Sequence, residues 1–185
     1  MSSKINIWSI VSGHIMTLKD SSSGRVSFLD YATFYGVPFA VAVLFSILGI
    51  KVTSDANSLL VNFGAIFTAL LLSVLVLVYD QGEKLRVAKV EQTQKHNIEL
   101  KKSLLDQLYY NICYAIVVAV TLVFLCLVYT FLPDKNYIVT FKQQVFSFDF
   151  KLYLASPFIL IVVLNLLLTI LMVVKRMHTL LTIKV

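Results

Sequence analysis

The sequence predicts an all-α integral membrane protein with four transmembrane helices. Of its 185 residues, 58% are hydrophobic and 14% are charged, whereas soluble domains contain about 45–50% apolar and about 25% charged residues. The apolar residues are concentrated in four uncharged windows, at 32–50, 59–79, 109–132 and 152–174. Each window has about the 20 residues that a helix needs to cross a bilayer. Runs such as 70–78 lack the alternation of a transmembrane β-barrel, so helical spans are expected.

The distribution of Lys and Arg predicts that both termini lie in the cytoplasm. Of 16 basic residues, 12 fall in the N-terminal segment 1–31, the connection 80–108 and the tail 175–185, and four fall in the remaining connections. Lys and Arg are enriched in the cytoplasmic loops of membrane proteins. The net charge of +6 is therefore attributed to contact with anionic membrane lipids. No nucleic-acid partner is expected, because basic and aromatic residues do not interleave.

The segment 1–31 is predicted to contain an amphipathic helix. One helical face carries the apolar side chains of Ile7, Trp8, Val11, Ile15 and Leu18. Such a helix either lies in the membrane interface, with Trp8 as an anchor at headgroup depth, or packs on the cytoplasmic ends of the spans. No cleaved signal peptide is expected, because the segment lacks a continuous apolar core. The first two spans, within 32–79, follow directly.

The connection 80–108 is predicted to form a cytoplasmic helical hairpin that continues the second and third spans. It holds six basic and five acidic residues and is rich in good helix formers. The weakest helical stretch, 94–97, is expected to form the turn. The expected seam between the arms consists of Val87, Val90, Leu104, Leu105 and Leu108. The hairpin is either a solvated charged projection or a docking site for a cytosolic protein. The candidate partner-binding residues are Lys84, Arg86, Lys89, Lys95, Lys101 and Lys102.

The connection 133–151 is predicted to form a short extracytoplasmic β-ribbon. Aromatic and β-branched residues alternate with polar ones over 137–150, which is the period of a β-strand. Two strands alone are marginally stable in water, so this ribbon is expected to rest on the membrane or on another subunit. The fourth span, 152–174, then returns the chain to a cytoplasmic tail, 175–185.

The sequence contains no pattern typical of catalysis or metal binding. His14, His96 and His178 are scattered and are expected to be ordinary cytoplasmic surface residues without a shared metal. Cys113 and Cys126 lie about 20 Å apart on one predicted helix and cannot form a disulfide. Neither a phosphate-binding loop nor a nucleophile elbow is present. We therefore expect no enzyme, no cofactor and no small-molecule substrate. The absence of charges from the four windows also disfavours a coupled transporter.

Small and polar residues form a stripe along the second span. Its members recur at helical spacing and are Ser58, Asn62, Ala65, Ala69 and Ser73. Small residues allow close helix approach, and Asn can hydrogen-bond across a helix contact. Asn62 and Asn165 of the fourth span are the strongest candidates. The stripe either packs within one four-helix unit or forms the seam of a homo-oligomer or the lining of a pore.

Three groups of residues resemble a family of small membrane proteins. They are Leu18-Lys19-Asp20 with 24–27 and Asp30, then 66–72 with 78–80, and then 109–116. Over roughly residues 15–130 the chain is similar to small four-span bacterial membrane proteins of unassigned function. It also resembles the membrane subunits of anti-phage defence operons, such as the four-span component of the Kiwa system.

The resemblance implies a multi-pass protein of the bacterial inner membrane. It implies a non-enzymatic sensor or anchor subunit that recruits and regulates a cytosolic effector encoded in the same operon. No catalytic residue carries over. The alternative function is that of an oligomeric pore-forming effector that depolarises the membrane.

Overall fold

The computed structural model describes residues 6–18, 28–87, 95–133, 136–141 and 144–182. Within these ranges the chain is mostly helical, with one pair of short strands and two π-helical segments, here called π1 and π2. The elements are α1 (Trp8–Thr17), α2 (Phe28–Tyr31), π1 (Ala32–Gly36), α3 (Val37–Ile47), α4 (Ser54–Val87), α5 (Lys95–Phe131), β1 (Asn136–Phe141), β2 (Gln144–Asp149), π2 (Lys151–Ala155) and α6 (Ser156–Thr182).

Three helical segments among the described residues are long and apolar enough to cross a membrane. They are Ser54–Lys84, Glu99–Phe131 and Lys151–Thr182. The fourth apolar segment, Ala32–Ile47, is shorter. The prediction of a helical membrane protein is therefore supported by three helices of full spanning length.

α5 is the central helix of the bundle. α4, α6 and α1 all pack against it, and α3 packs against α6. Five apolar α5 residues with no exposed surface recur at intervals of three and four, as a helix face inside a bundle requires: Ile112, Ala115, Ala119, Leu122 and Cys126. Gly64 brings α4 close to this face, since a Cβ atom at Gly64 would lie 2.7 Å from Val123 Cγ2. Cys126 is buried and Cys113 is half-buried, and both are free thiols.

The ends of α4 and α5 extend beyond the apolar windows, as expected for the arms of a hairpin. α5 begins at Lys95, so residues 95–97 are helical and the predicted turn at 94–97 is wrong for these three residues. Residues 88–94, which include Gln94, Lys89 and Val90, lie outside the described residues. Of the predicted seam, Leu105 and Leu108 are buried and Leu104 is half-buried. Good helix formers at 99–102 favour the helical conformation of the first turns of α5.

Each π segment is followed closely by a proline. Pro38 follows π1 and Pro157 follows π2, two residues after the end of each segment. A proline has no backbone N–H, and its ring clashes with the carbonyl four residues earlier. In each segment the chain widens instead: the Val37 N–H bonds the Ala32 carbonyl, and the Ser156 N–H bonds the Lys151 carbonyl. The first helix therefore starts before Pro38, at Phe28, and continues past it.

β1 and β2 pair antiparallel between α5 and π2. Asn136 is opposite Asp149, and Phe141 is opposite Gln144. The Asp149 carboxylate accepts hydrogen bonds from the backbone N–H groups of Lys151 and Leu152, at 2.9 and 3.2 Å. This contact caps the start of π2 in the way that acidic residues cap helix N-termini. The strand pair is thereby joined directly to the helix that continues into α6.

Gly49 ends α3. Its φ is +69°, which only glycine adopts without a steric cost. The Gly49 N–H bonds the Ser46 carbonyl and the Ile50 N–H bonds the Phe45 carbonyl, at 3.2 and 3.0 Å. This pair of bonds is a Schellman motif, which satisfies the last carbonyls of a helix.

Gly49→Ala is expected to lower the free energy of unfolding by about 1–2 kcal/mol, because Ala pays the steric cost of positive φ. A Cβ atom there would meet nothing within 4 Å, so no clash contributes. Gly82→Ala in α4, also without a neighbour within 4 Å, is the matched control and is expected to stabilise by about 0.5–1 kcal/mol. Thermal unfolding in detergent measures both. Equal shifts for the two variants would contradict this account of Gly49.

Candidate functional site

A cluster of buried polar side chains joins α1 to the helical bundle. The side chains come from α1, α5 and α6, so residues that are far apart in sequence meet here. We call this set the inner cluster, and its members are His14, Thr17, Asn111, Tyr114, Asn165 and Arg176. His14 and Asn111 have no exposed surface. Buried polar groups are costly unless they are hydrogen-bonded, so these contacts fix the position of α1.

Asn111 is the acceptor at the centre of the inner cluster. Its Oδ1 atom lies 2.9 Å from His14 Nδ1 and 2.7 Å from Thr17 Oγ1. The Thr17 hydroxyl is also 2.7 Å from the His14 carbonyl oxygen, and with one proton it donates to one acceptor at a time. Because Asn111 Oδ1 only accepts, His14 carries its proton on Nδ1. His14 Nε2 and Asn111 Nδ2 are buried without a hydrogen-bond partner among the described residues.

Aromatic rings enclose the His14 imidazole. The ring stacks on Tyr114 at a centroid distance of 3.8 Å and an angle of 3°, and it meets Phe34 edge-on at 6.2 Å. Burial lowers the pKa of His14 from 6.5 to about 4; the bond to Asn111 opposes this shift, and the charge of Arg176 adds to it. His14 is therefore neutral at pH 7. The prediction that it is an ordinary surface residue is wrong.

Asn165 connects three elements within the chain. It accepts a hydrogen bond from the Tyr114 hydroxyl at 2.9 Å and donates from Nδ2 to the Phe34 carbonyl at 3.2 Å. The residue four positions after Phe34 is Pro38, which has no N–H to donate to that carbonyl. Asn165 thus supplies the donor that the proline removes. Two roles are predicted for Asn165, packing within one unit or a seam between copies of the chain. Its hydrogen bonds show that it packs within the chain.

Arg176 links the end of α6 to the end of α1. Its Nη2 atom donates to the Thr17 carbonyl at 2.6 Å, one of the carbonyls that the last turn of a helix leaves without a backbone partner. A cation is also favoured at a helix C-terminus. Arg176 Nη1 is buried without a hydrogen-bond partner among the described residues.

A second polar cluster lies at the opposite end of the bundle, and we call it the outer cluster. The Tyr129 hydroxyl donates to the Val52 carbonyl at 2.6 Å, and the Val52 N–H donates to Ser156 Oγ at 3.0 Å. The Lys151 ammonium lies 5.1 Å from the centre of the Tyr129 ring, within the range of a cation–π contact. Asp149 of β2 lies 3.9 Å from Lys51. The outer cluster therefore fastens the strand pair and the α3–α4 loop to α5 and α6.

The basic residues predicted to bind a partner lie along the ends of α4 and α5. Lys84 is exposed and pairs with Asp80 at 2.7 Å, Lys102 is exposed and Lys101 is half-buried. Lys102 borders two neighbouring clefts, of about 420 and 590 Å³, together with Asp106 and Tyr110. Arg86 and Lys95 lie in α4 and α5 with side chains outside the described part, and Lys89 is outside it altogether. The described charges around these clefts are of both signs.

The small-residue stripe of α4 faces away from the other helices. Asn62, Ala65, Ala69 and Ser73 are all exposed. The interpretation that the stripe packs within one unit is therefore wrong for α4, where Gly64, Leu71 and Val78 make the buried contacts instead. The exposed amide of Asn62 remains available to a second copy of the chain.

α1 turns its apolar face outward and its polar face inward. Trp8 is 72% exposed and Met16 62% exposed. Gly13 lies against α5 so closely that a Cβ atom would be 2.4 Å from the Tyr110 ring. Packing on the spans, one of the two alternatives for this helix, is thus observed, and Trp8 remains free for an interfacial role. In the sequence, small and polar residues lie on the helix face opposite the apolar one, and this pattern signals the packing.

The described residues contain no group of three or more His, Cys, Asp or Glu side chains that could hold a metal ion. His178 is exposed, and the side chain of His96 is outside the described part. The groups that the fold brings together are hydrogen-bonding and cationic, and they connect helices.

The inner cluster predicts a pH-dependent stability. Because the pKa of His14 is lower in the folded state, the unfolded chain takes up the proton first, and stability falls as the pH decreases from about 6.5 toward 4. Between pH 7.5 and 4.5 the loss from this residue is about 2–3 kcal/mol. His14→Gln, which keeps a donor for Asn111 and does not titrate, is expected to remove this loss in thermal unfolding. The control His178→Gln should leave it intact, and an unchanged pH profile for His14→Gln would contradict the assignment.

No family model, curated protein or solved structure matches this chain.

Proposed function

We propose that the protein is a non-enzymatic sensor or anchor subunit of the bacterial inner membrane, with four spans and both termini in the cytoplasm. In this proposal the strand pair lies outside the membrane and senses a disturbance of the envelope. The ends of α4 and α5, with α1, hold or release a cytosolic effector inside. We propose further that this role belongs to an anti-phage defence complex, as the resemblance to membrane subunits of such operons implies.

The four-span topology draws support from the first helical run. α2, π1 and α3 are continuous from Phe28 to Ile47, which are 20 residues and about 30 Å of helix. That length matches the hydrocarbon core, although the uniformly apolar part, Ala32–Ile47, is shorter. The surplus of Lys and Arg in 1–31, 80–108 and 175–185 favours the cytoplasm for the end that carries the inner cluster.

One observation carries the sensor proposal: α6 with π2 connects the two polar clusters. Ser156 belongs to the outer cluster, and Asn165 and Arg176 belong to the inner cluster. Ser156 and Arg176 are 20 residues apart, or about 30 Å along a helix. A rigid helix held at both ends by specific hydrogen bonds transmits a shift of the strand pair to the contact with α1. π segments are frequent at functional sites in helices: the inner cluster bonds the Phe34 carbonyl of π1, and the outer cluster includes Lys151 of π2.

The effector is proposed to dock on the described basic residues near the clefts beside Lys102. Lys84 and Lys102 are exposed and Lys101 is half-buried, and in this proposal they contact acidic groups of the partner. Glu83, Glu99 and Asp106 line the same clefts, so the matching surface of the partner carries charges of both signs. α1 borders the larger cleft through Ser12 and Met16. Release of α1 from the inner cluster would therefore change the shape of the docking surface.

The alternative function, an oligomeric pore that depolarises the membrane, is favoured by the exposed stripe on α4. An Asn side chain that faces hydrocarbon has no hydrogen-bond partner, whereas a second copy of the same helix supplies one. Asn62 with Ala65, Ala69 and Ser73 would form such a homo-oligomeric seam. A pore can be lined by amide and hydroxyl groups without charges.

Reversing the charge at the docking surface tests the proposed function. The triple variant Lys84→Glu, Lys101→Glu and Lys102→Glu is expected to lower recovery of the cytosolic partner encoded by the neighbouring gene at least tenfold in a pull-down, because attraction becomes repulsion. The double variant Lys135→Glu and Lys142→Glu reverses charge on the connection 133–151, leaves Lys51 of the outer cluster in place and serves as the control. Recovery with the triple variant equal to that with the control would overturn docking at this surface.

Expression of the chain alone separates the sensor from the pore. The sensor is expected to leave the signal of a membrane-potential dye unchanged in cells that lack the neighbouring gene. A loss of potential that Asn62→Leu abolishes, while Ser58→Ala does not, would establish the pore instead. Asn62→Leu replaces the hydrogen-bonding amide with an apolar side chain that branches at the same atom, and Ser58 is an exposed residue of the same stripe.

A further inference from the structure

A cavity of about 350 Å³ lies between the end of α1, the first helical run and the last part of α6. Its walls on α6 divide into two parts. Leu168, Leu171 and Met172 form an apolar wall, and Lys175, Arg176 and Thr179 form a polar rim one turn further along. Ligand sites in proteins typically have volumes of about 300–1,000 Å³.

The polar rim has an excess of positive charge. Lys175 and Arg176 both line the cavity, with Asp30 as the acidic residue among the lining side chains. Arg176 uses Nη2 to hold the Thr17 carbonyl, but its Nη1 atom is buried without a hydrogen-bond partner among the described residues. A buried guanidinium N–H without an acceptor is costly. An anionic oxygen at the rim would satisfy it with a charge-assisted hydrogen bond.

The two parts of the cavity match the depth profile of a membrane leaflet. The apolar window of the last span ends at 174 and is followed directly by Lys175 and Arg176. Leu168 and Leu171 precede Arg176 by eight and five residues, which places them about 8–12 Å deeper along the helix axis. Leu171 is 65% exposed, so the apolar wall is open to the surroundings of the bundle.

We propose that this cavity binds one anionic phospholipid. The lipid phosphate accepts hydrogen bonds from Arg176 Nη1 and from the Lys175 ammonium at the rim. An acyl chain lies along Leu168, Leu171 and Met172. Basic pockets between transmembrane helices on the cytoplasmic side are known to hold anionic headgroups. The site requires only that α6 crosses a bilayer, and it is independent of the proposed effector docking.

The apolar wall distinguishes a lipid from a free phosphate ion. Inorganic phosphate would satisfy Arg176 and Lys175 but would leave the Leu168–Met172 wall uncovered. An acyl chain gains van der Waals contacts along this wall, which a phosphate ion cannot make. The cavity therefore selects a molecule that carries an anionic group and a hydrocarbon chain together.

Native mass spectrometry of the full chain in detergent tests the proposal. Phosphatidylglycerol, phosphatidylcholine and inorganic phosphate are titrated separately. The wild type is expected to retain phosphatidylglycerol more strongly than either other probe. Lys175→Gln and Arg176→Gln are each expected to weaken phosphatidylglycerol binding roughly fivefold, the effect of one cation near an anionic lipid. Lys84→Gln, which removes the same charge from α4, is the matched control and should bind as the wild type does.

Two results of this experiment would overturn the proposal. Lys175 is exposed on α6, so Lys175→Gln tests the site even if Arg176→Gln disturbs the fold. Equal phosphatidylglycerol binding by the wild type and Lys175→Gln would overturn the proposal. Binding of inorganic phosphate as strong as that of phosphatidylglycerol would also overturn it, because the apolar wall would then contribute nothing. Neither result bears on recovery of the cytosolic partner.

Discussion

Asn111 accepts hydrogen bonds from His14 and Thr17 at one carboxamide oxygen, and the position of α1 depends on these two contacts. Because His14 and Asn111 are fully buried, loss of either partner leaves the other unsatisfied in an apolar environment. The same helix end is held by Arg176, and the stacked Tyr114 ring continues the network to Asn165 and the first helical run. The Asn111 amide thus holds together the end of the bundle where α1 meets the end of α6.

The inner and outer ends of the bundle are built in the same way, each with a π segment followed by a proline, Pro38 or Pro157. Each proline forces a π segment by removing a backbone donor, and each π segment is tied to a polar side chain that belongs to another part of the chain. At π1 the donor is Asn165 of α6, and at π2 the capping carboxylate is Asp149 of β2. A widened helical turn is less regular than an α-helical one, and π segments are frequent at functional sites. The proposed conformational signal would use both of these turns.

The sequence predicts the helical spans well and the contacts between them poorly. Long uncharged windows are a local property, and α4, α5 and α6 follow from them. The predicted turn is wrong at 95–97 because the good helix formers at 99–102 outweigh the short stretch of weaker ones before them. Asn62 and Asn165 look equivalent in sequence, yet one is exposed and one is buried, because exposure depends on which helix lies alongside. His14 was missed for the same reason: its partner Asn111 is 97 residues away, and no local pattern signals such a distance.

The bond between Arg176 and the Thr17 carbonyl joins residues 159 positions apart, and this separation sets an order of assembly. α1 is translated before α6, so its binding surface is complete only after α6 has been synthesised. At about 5–20 residues per second, translation of the intervening chain takes roughly 10–30 s. During that interval the exposed apolar side chains of α1, including Trp8, can contact a membrane surface. The contact between α1 and α6 therefore forms late, and its formation requires both helices.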